Sequence, residues 1–112
     1  PTPDSAFILE KILAEAKRVN LCNILPYGSV SKGEKGEELT DFEELKKAGA
    51  VAFSDDGMPV INSRMMRQAI IKANSLGTFV ASHCEEKSVA DGAINAGKIQ
   101  EELGVKGRNN GC

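Results

Sequence analysis

The feature that most constrains this chain is an alternation of amphipathic helical stretches with short apolar segments. Apolar residues at helical spacing predict helices over about residues 4–19, 40–48, 63–76 and 89–103. Short apolar segments at 21–25, 49–55 and 77–83 are typical of strands. The predicted order is therefore α-β-α-β-α-β-α. Such an alternation favours an α/β fold with right-handed crossovers and a parallel sheet.

Capping and breaker residues set the predicted boundaries of these elements. Thr2 or Asp4 can cap the first helix, and Thr40 with Glu43 forms a capping-box pair for the second. Ser88 with Asp91 is a possible capping pair for the last helix, and residues 28–38 and 104–112 have the composition of loops. The helical side chains expected to face inward are Ile8, Ile12, Ala16, Val19, Phe42, Leu45, Ala48, Met66, Ala69, Ile70 and Ala73.

Composition excludes several classes of function. The 112 residues carry a net charge of −2 and only 4% aromatic residues, so nucleic acid is not an expected partner. No apolar run approaches the ~20 residues of a membrane span, and no secretory leader is evident. The cysteines, Cys22, Cys84 and Cys112, form no CxxC pair, which indicates a reduced, cytoplasmic protein. Cys22 is expected in the core.

Candidate chemistry lies where two similar segments end. Residues 49–55 resemble residues 77–83: each has a glycine, a short apolar strand, a serine and then Asp55 or His83. Ligands of parallel α/β folds sit at the carboxyl ends of strands, and neighbouring strand ends lie ~5 Å apart. A carboxylate and an imidazole there suit zinc, although catalytic zinc sites typically use three protein ligands. The alternatives are a turn at Asp55-Asp56-Gly57 and a structural, hydrogen-bonded histidine.

Other candidate motifs are weaker. Gly28 and Gly33 have the spacing of a phosphate-binding loop, but Glu34-Lys35 replaces the required Lys-Ser/Thr. Cys84 could be a nucleophile, but strand alternation turns it away from the face of His83. Glu34, with the nearby Glu37 and Glu38, is expected to form a solvated face. A chain that begins with a helix and offers only three strands also reads as a piece of a larger fold.

The segment from Gly49 to Val60 (Gly-Ala-Val-Ala-Phe-Ser-Asp-Asp-Gly-Met-Pro-Val), followed by a helix and Ser82-His83-Cys84-Glu85, resembles the middle of a dihydroorotase. The match is to the bacterial or archaeal type with a bridging aspartate, within the amidohydrolase superfamily. It covers nearly all of the chain. The resemblance implies a single internal segment, residues 1–112, holding about three of the eight units of a TIM barrel.

The resemblance also implies an activity and a site. Dihydroorotases reversibly close N-carbamoyl-L-aspartate to L-dihydroorotate in pyrimidine biosynthesis. The family pattern assigns Asp56 as the bridge between two zinc ions and His83 as a zinc ligand. The general base and the substrate-binding residues are expected outside this chain, so the isolated chain is expected to be inactive. The expected partners are the small-molecule substrate, further copies of the protein and aspartate carbamoyltransferase.

The sequence leaves two other classes of protein open beside a dihydroorotase, and it also predicts how the isolated chain behaves in solution. A hydantoinase or allantoinase of the same superfamily is the nearer alternative, although those enzymes resemble the carboxylated-lysine branch. A small stand-alone α/β binding module is the other, but the chain lacks the first-strand acidic pair and late lysine of a receiver-like domain. Unpaired sheet edges and exposed helix faces further predict that the isolated chain self-associates, with mobile segments at 28–38 and 104–112.

Overall fold

The computed structural model describes residues 1–85 and 92–108. Its helices are α1 (Ala6–Val19), α2 (Phe42–Lys47), α3 (Ser63–Ser75) and α4 (Lys98–Leu103), with a short 3-10 turn at Lys32–Glu34. Its strands are β1 (Tyr27–Gly28), β2 (Ala52–Phe53), β3 (Ile94–Asn95) and β4 (Gly107–Arg108). In the part of the chain that is described, no helix is long and apolar enough to cross a membrane.

The strands pair in parallel, as the alternation of elements predicts. Strand β1 pairs with β2 in the register Tyr27 to Ala52, and β3 pairs with β4. Phe53 also forms a parallel bridge with Val80, through hydrogen bonds of 3.1 Å and 2.8 Å. Strand β2 therefore lies between β1 and the segment that contains Val80. The α/β class is confirmed, with short parallel pairings.

The predicted strand at 21–25 is wrong. Leu21 and Leu25 are 87% and 71% exposed, and pairing starts only where the Pro26 carbonyl accepts from Val51 N at 2.9 Å. In the described chain, residues 21–25 pair with no strand, and Leu21, Cys22 and Ile24 only line an open groove beside α1. Cys22 is likewise exposed, contrary to its expected place in the core.

The start of segment 28–38 is buried at the end of the sheet, so the prediction of an exposed loop is wrong for residues 28–31, whereas Lys32, Glu37 and Glu38 are exposed as predicted. Ser29, Val30 and Ser31 are fully buried, and Ser31 bridges Leu39 in an antiparallel pair. Thr40 stabilises the same segment, because its hydroxyl donates to the Ser29 carbonyl at 2.6 Å. Thr40 is thus not the capping residue of α2. That role falls to Asp41, whose carboxylate accepts from Glu44 N at 3.0 Å.

The hydrophobic core lies between the helices and β2. The rings of Phe42 and Phe53 stack with centroids 3.9 Å apart, which fixes α2 on the strand. Helix α3 buries Met65, Ala69 and Ala73, whereas Ile70, which was predicted to face inward, is exposed. Helix α1 buries only Leu9, and Val19 is exposed. The buried cluster consists of Leu9, Val30, Phe42, Leu45, Ala50, Phe53, Ala69 and Ala73.

The C-terminal part departs from the predicted long helix. Helix α4 covers only Lys98–Leu103, because Ile94–Asn95 is a strand that pairs with Gly107–Arg108. That pairing also gives structure to part of the predicted tail. The predicted start of the helix, with its capping pair Ser88 and Asp91, lies outside the described residues, as does Cys112.

Asp4 does not cap α1. Its carboxylate instead accepts a hydrogen bond from Gly33 N at 2.9 Å, and the N-cap position, Ser5, makes no side-chain capping bond. The start of the chain is thereby tied to the 3-10 turn beside the sheet's carboxyl end. Pro3 supports the same arrangement, since its carbonyl accepts from Ser29 N at 3.0 Å.

Candidate metal centre

Two strand ends converge on one open cavity of about 620 Å³. Strand β2 leads directly into Ser54-Asp55-Asp56, and the segment paired with it through Val80 leads into Ser82-His83. Both Asp56 and His83 line this cavity. The remaining lining residues are Pro3, Leu25, Tyr27, Glu34, Ser54, Ala81 and Ser82. The parallel pairing thus brings together the carboxylate and the imidazole that the sequence singled out.

Asp55 has a structural role, because its carboxylate binds the backbone of another segment. Its side chain is only 3% exposed and accepts from Val30 N at 2.7 Å and from Ser31 N at 3.0 Å. The Ser31 hydroxyl donates to its second oxygen. Hydrogen bonds to an ionised carboxylate are among the stronger ones in proteins. Asp55 therefore fastens the 28–31 segment to the end of β2 and has its oxygens occupied.

Asp56 stands in a turn and faces a different environment. Met58 N donates to the Asp55 carbonyl at 3.0 Å, and Gly57 takes the left-handed φ of +75° that closes the turn. The turn reading of Asp55-Asp56-Gly57 is therefore correct. It does not exclude a ligand role, because the turn leaves Asp56 exposed at the cavity.

His83 belongs to a short chain of polar contacts. Its Nε2 lies 3.3 Å from Oε2 of Glu85, and Oε1 of Glu85 accepts from the Arg108 guanidinium at 2.9 Å. The Glu85 side chain is only 16% exposed, whereas the His83 side chain is 39% exposed. The alternative that His83 is a hydrogen-bonded histidine is therefore correct for its Nε2 atom. His83 nevertheless lines the cavity.

Glu34 is the cavity residue that sequence reasoning missed. Burial raises the pKa of its carboxyl, and the negative charge of Asp55 raises that pKa further. The Ser29 hydroxyl donates to Glu34 Oε1 at 3.4 Å, a weak bond that opposes the shift. The glycines at 33 and 36 were the available signal, because a tight turn there directs Glu34 inward, with its own φ at +56°.

The donor atoms at the cavity are of the types that bind zinc, but they are fewer than a catalytic zinc site uses. A carboxylate oxygen from Asp56 and an imidazole nitrogen from His83 are ordinary zinc ligands. Among residues 1–85 and 92–108, no three or more His, Cys, Asp or Glu side chains are placed to hold one ion. Cys84 does not line the cavity, and its exposed thiol points to the Ser82 carbonyl. The described residues supply two donors of the three that a catalytic site typically uses.

Comparison with known sequences identifies the class. The family described as Dihydro-orotase-like matches residues 1–112, the whole of the chain. The chain belongs to the dihydroorotase-like family.

Individual relatives agree with that membership. The dihydroorotase of Aquifex aeolicus (strain VF5) is 44% identical over 108 residues, which cover 96% of this chain and 26% of the relative. The dihydroorotase of Citrifermentans bemidjiense is 46% identical over 108 residues, covering 96% of this chain and 26% of that protein. The chain thus spans about a quarter of the length of the curated relatives that it matches.

Proposed function

We propose that this chain is an internal segment of a zinc-dependent dihydroorotase. The complete protein would interconvert N-carbamoyl-L-aspartate and L-dihydroorotate in pyrimidine biosynthesis. One observation carries the proposal: Asp56 and His83, on separate strand ends, line the same cavity. Family membership over residues 1–112 supports it independently. The relatives named above are dihydroorotases, which favours this reaction over that of a hydantoinase or allantoinase.

The choice of Asp56 as the bridging ligand rests on what its neighbour does. Asp55 accepts hydrogen bonds from Val30 and Ser31 on both oxygens and is buried. Moving those oxygens to a metal ion would leave buried N–H groups unpaired, at a cost of about 1–3 kcal/mol each. Asp56 is exposed at the cavity and carries no such cost.

Zinc bound there would polarise a carbonyl and supply hydroxide at neutral pH. The chain's own residues would contribute the carboxylate of Asp56 and the imidazole of His83. Glu34 would add a second acidic group at the wall, and its raised pKa favours a carboxyl that keeps its proton longer than usual. The general base and at least one further zinc ligand would lie outside the described residues.

The wider architecture follows as part of the same proposal. The parallel pairings of β1, β2 and the Val80 segment suit about three of the eight units of a TIM barrel, with residues 1–112 as one segment of it. A cytoplasmic location, a homo-oligomer and association with aspartate carbamoyltransferase belong to this proposal through the family. The isolated chain is proposed to be inactive, because it offers one histidine in total.

The test uses the complete protein that contains this chain, purified with its zinc content measured. Asp56→Ala and His83→Ala should each abolish ring closure of N-carbamoyl-L-aspartate and lower the bound zinc. Glu102→Ala, on the exposed side of α4, serves as a control that should change neither. Full turnover and full zinc content in the Asp56→Ala enzyme would refute the proposal. Measurable turnover by the isolated 112-residue chain would refute the claim that it is inactive.

A further inference from the structure

We infer that Glu85 is a positioning residue that fixes the tautomer and orientation of His83, with Arg108 holding Glu85 in place. The inference rests on the proposed function in one respect, because the ring nitrogen that Glu85 does not contact, Nδ1, is the one that would meet the metal ion. The contact between Glu85 and His83 is independent of any metal. The two claims can therefore fail separately.

The geometry begins at the imidazole. Nε2 of His83 lies 3.3 Å from Oε2 of Glu85. This contact is the hydrogen bond that the imidazole of His83 makes with the described residues. His83 lines the cavity, so one edge of its imidazole faces Glu85 while the residue borders the open space.

Hydrogen-bond chemistry then selects one form of the ring. An ionised carboxylate can only accept hydrogen bonds, so a neutral imidazole must place its proton on Nε2 to bind Glu85. Nδ1 then keeps its lone pair and is the nitrogen able to ligate a metal ion. Carboxylate partners of this kind commonly set the tautomer of metal-binding histidines and increase the basicity of the ligating nitrogen.

Arg108 makes Glu85 a fixed partner. The Arg108 guanidinium donates to Oε1 at 2.9 Å, so the two oxygens of Glu85 have different partners. Arg108 belongs to β4, whereas Glu85 follows the strand segment that contains Val80. The pair of strands β3 and β4 thereby acquires a role at the site: it carries the cation that orients the Glu85 carboxylate.

The single histidine of the chain makes the inference directly measurable. Two-bond ¹H–¹⁵N spectra of the 112-residue chain with ¹⁵N-labelled histidine report the tautomer of His83 alone. At about pH 8, an ordinary imidazole is neutral. The Nε2–H form should dominate in the unsubstituted chain. The ratio of Nε2–H to Nδ1–H should fall about threefold in Glu85→Ala, as expected for loss of one hydrogen bond.

Conservative and matched variants separate this role from a general effect on the fold. Glu85→Gln keeps an accepting oxygen and should retain most of the tautomer ratio, whereas Arg108→Ala should give a value between wild type and Glu85→Ala. Glu102→Ala removes the same charge from an exposed position and should leave the ratio unchanged. A ratio in Glu85→Ala equal to wild type overturns the inference. If Glu85→Ala does not fold, an unchanged ratio in Arg108→Ala overturns it.

Adding Zn²⁺ alone to the same samples distinguishes the two proposals. A shift of the Nδ1 resonance on zinc addition, with affinity lowered about tenfold in Glu85→Ala, supports both. A tautomer ratio that depends on Glu85 without any zinc-induced shift supports positioning and contradicts zinc binding by His83 in this chain. A zinc shift that appears on Nε2 overturns the positioning role and leaves the metal proposal standing.

Discussion

At the scale of single residues, the molecule separates two adjacent aspartates into different tasks. Asp55 is buried and fastens Val30 and Ser31 to the end of β2, whereas Asp56 is exposed at the cavity. The strand-end pattern predicted that the Asp55-Asp56 pair and His83 would lie near each other, because parallel strand ends share an edge, and the choice of Asp56 came from the family resemblance. It did not predict the bonds of Asp55 or the inward position of Glu34. Both depend on how segment 28–38 folds back onto β2.

Matched substitutions of the two aspartates test this division. Asp55→Asn places an NH₂ group against N–H donors and should lower the free energy of unfolding by about 2 kcal/mol or more. Asp56→Asn, one residue along, should change it by no more than about 0.5 kcal/mol. Urea unfolding followed by circular dichroism measures both. Equal losses in the two variants would contradict the assignment of Asp55 to structure and Asp56 to the site.

Glu34 gives a pH-dependent prediction. Its pKa is raised in the folded chain, mainly by burial, so the native state holds this proton more tightly than the unfolded state. Stability should therefore fall as pH rises from the ordinary value of 4.5 through the raised value. Glu34→Gln removes this penalty and should be more stable than wild type at pH 7, with the gain vanishing well below pH 4.5.

The control for Glu34 is Glu37→Gln, which removes the same charge from an exposed side chain of the same segment. Thermal unfolding across the acid range compares the three proteins. The prediction is contradicted if Glu34→Gln raises the stability equally at every pH, or does not raise it at pH 7. Either result would show that the surroundings of Glu34 do not disfavour its ionised carboxylate.

At the scale of elements, what the sequence predicted well was set by local signals. Helices α2 and α3 form where amphipathic spacing predicts them, and α3 begins after Asn62, whose side chain accepts from Arg64 N at 3.0 Å. The strand predicted at 21–25 fails because an apolar run becomes a strand only if a partner and a packing layer exist. Pairing starts instead at Pro26, whose carbonyl meets Val51 N.

The contact between α2 and β2 is the element-scale feature most open to test. Phe53 is fully buried and stacks on Phe42, so Phe53→Ala should lower the free energy of unfolding by about 3–5 kcal/mol. Phe7→Ala makes the same chemical change at a side chain that is 64% exposed and should cost less than about 1 kcal/mol. Chemical denaturation measures the free energy of unfolding of both variants. Similar losses in the two would contradict the assignment of Phe53 to the core.

At the scale of the whole molecule, the chain leaves an apolar groove uncovered. The groove, of about 300 Å³, runs between α1 and the segment after it and is lined by Ile12, Glu15, Ala16, Val19, Leu21, Cys22 and Ile24. Contiguous exposed apolar surface favours association. We therefore expect this groove to be the surface at which the isolated chain self-associates.

Sedimentation velocity over a range of concentrations tests that location. The 112-residue chain should show concentration-dependent association, and Leu21→Ser should weaken it by removing an exposed apolar side chain of the groove. Ile61→Ser changes a side chain that is 73% exposed and lies outside the groove, and it should have little effect. A chain that remains monomeric throughout, or an equal response to both substitutions, would contradict the prediction.

The claim that Asp56 and His83 serve one metal ion is tested most directly by a double-mutant cycle on Zn²⁺ affinity. The four proteins are the 112-residue chain, Asp56→Ala, His83→Ala and the double variant, each titrated with Zn²⁺ in competition with a chelating dye. Two ligands of one ion should be coupled by at least about 0.5 kcal/mol, so that the second substitution costs less than it does in the otherwise unsubstituted chain. Strictly additive losses, or an affinity that neither substitution changes, would contradict a shared site.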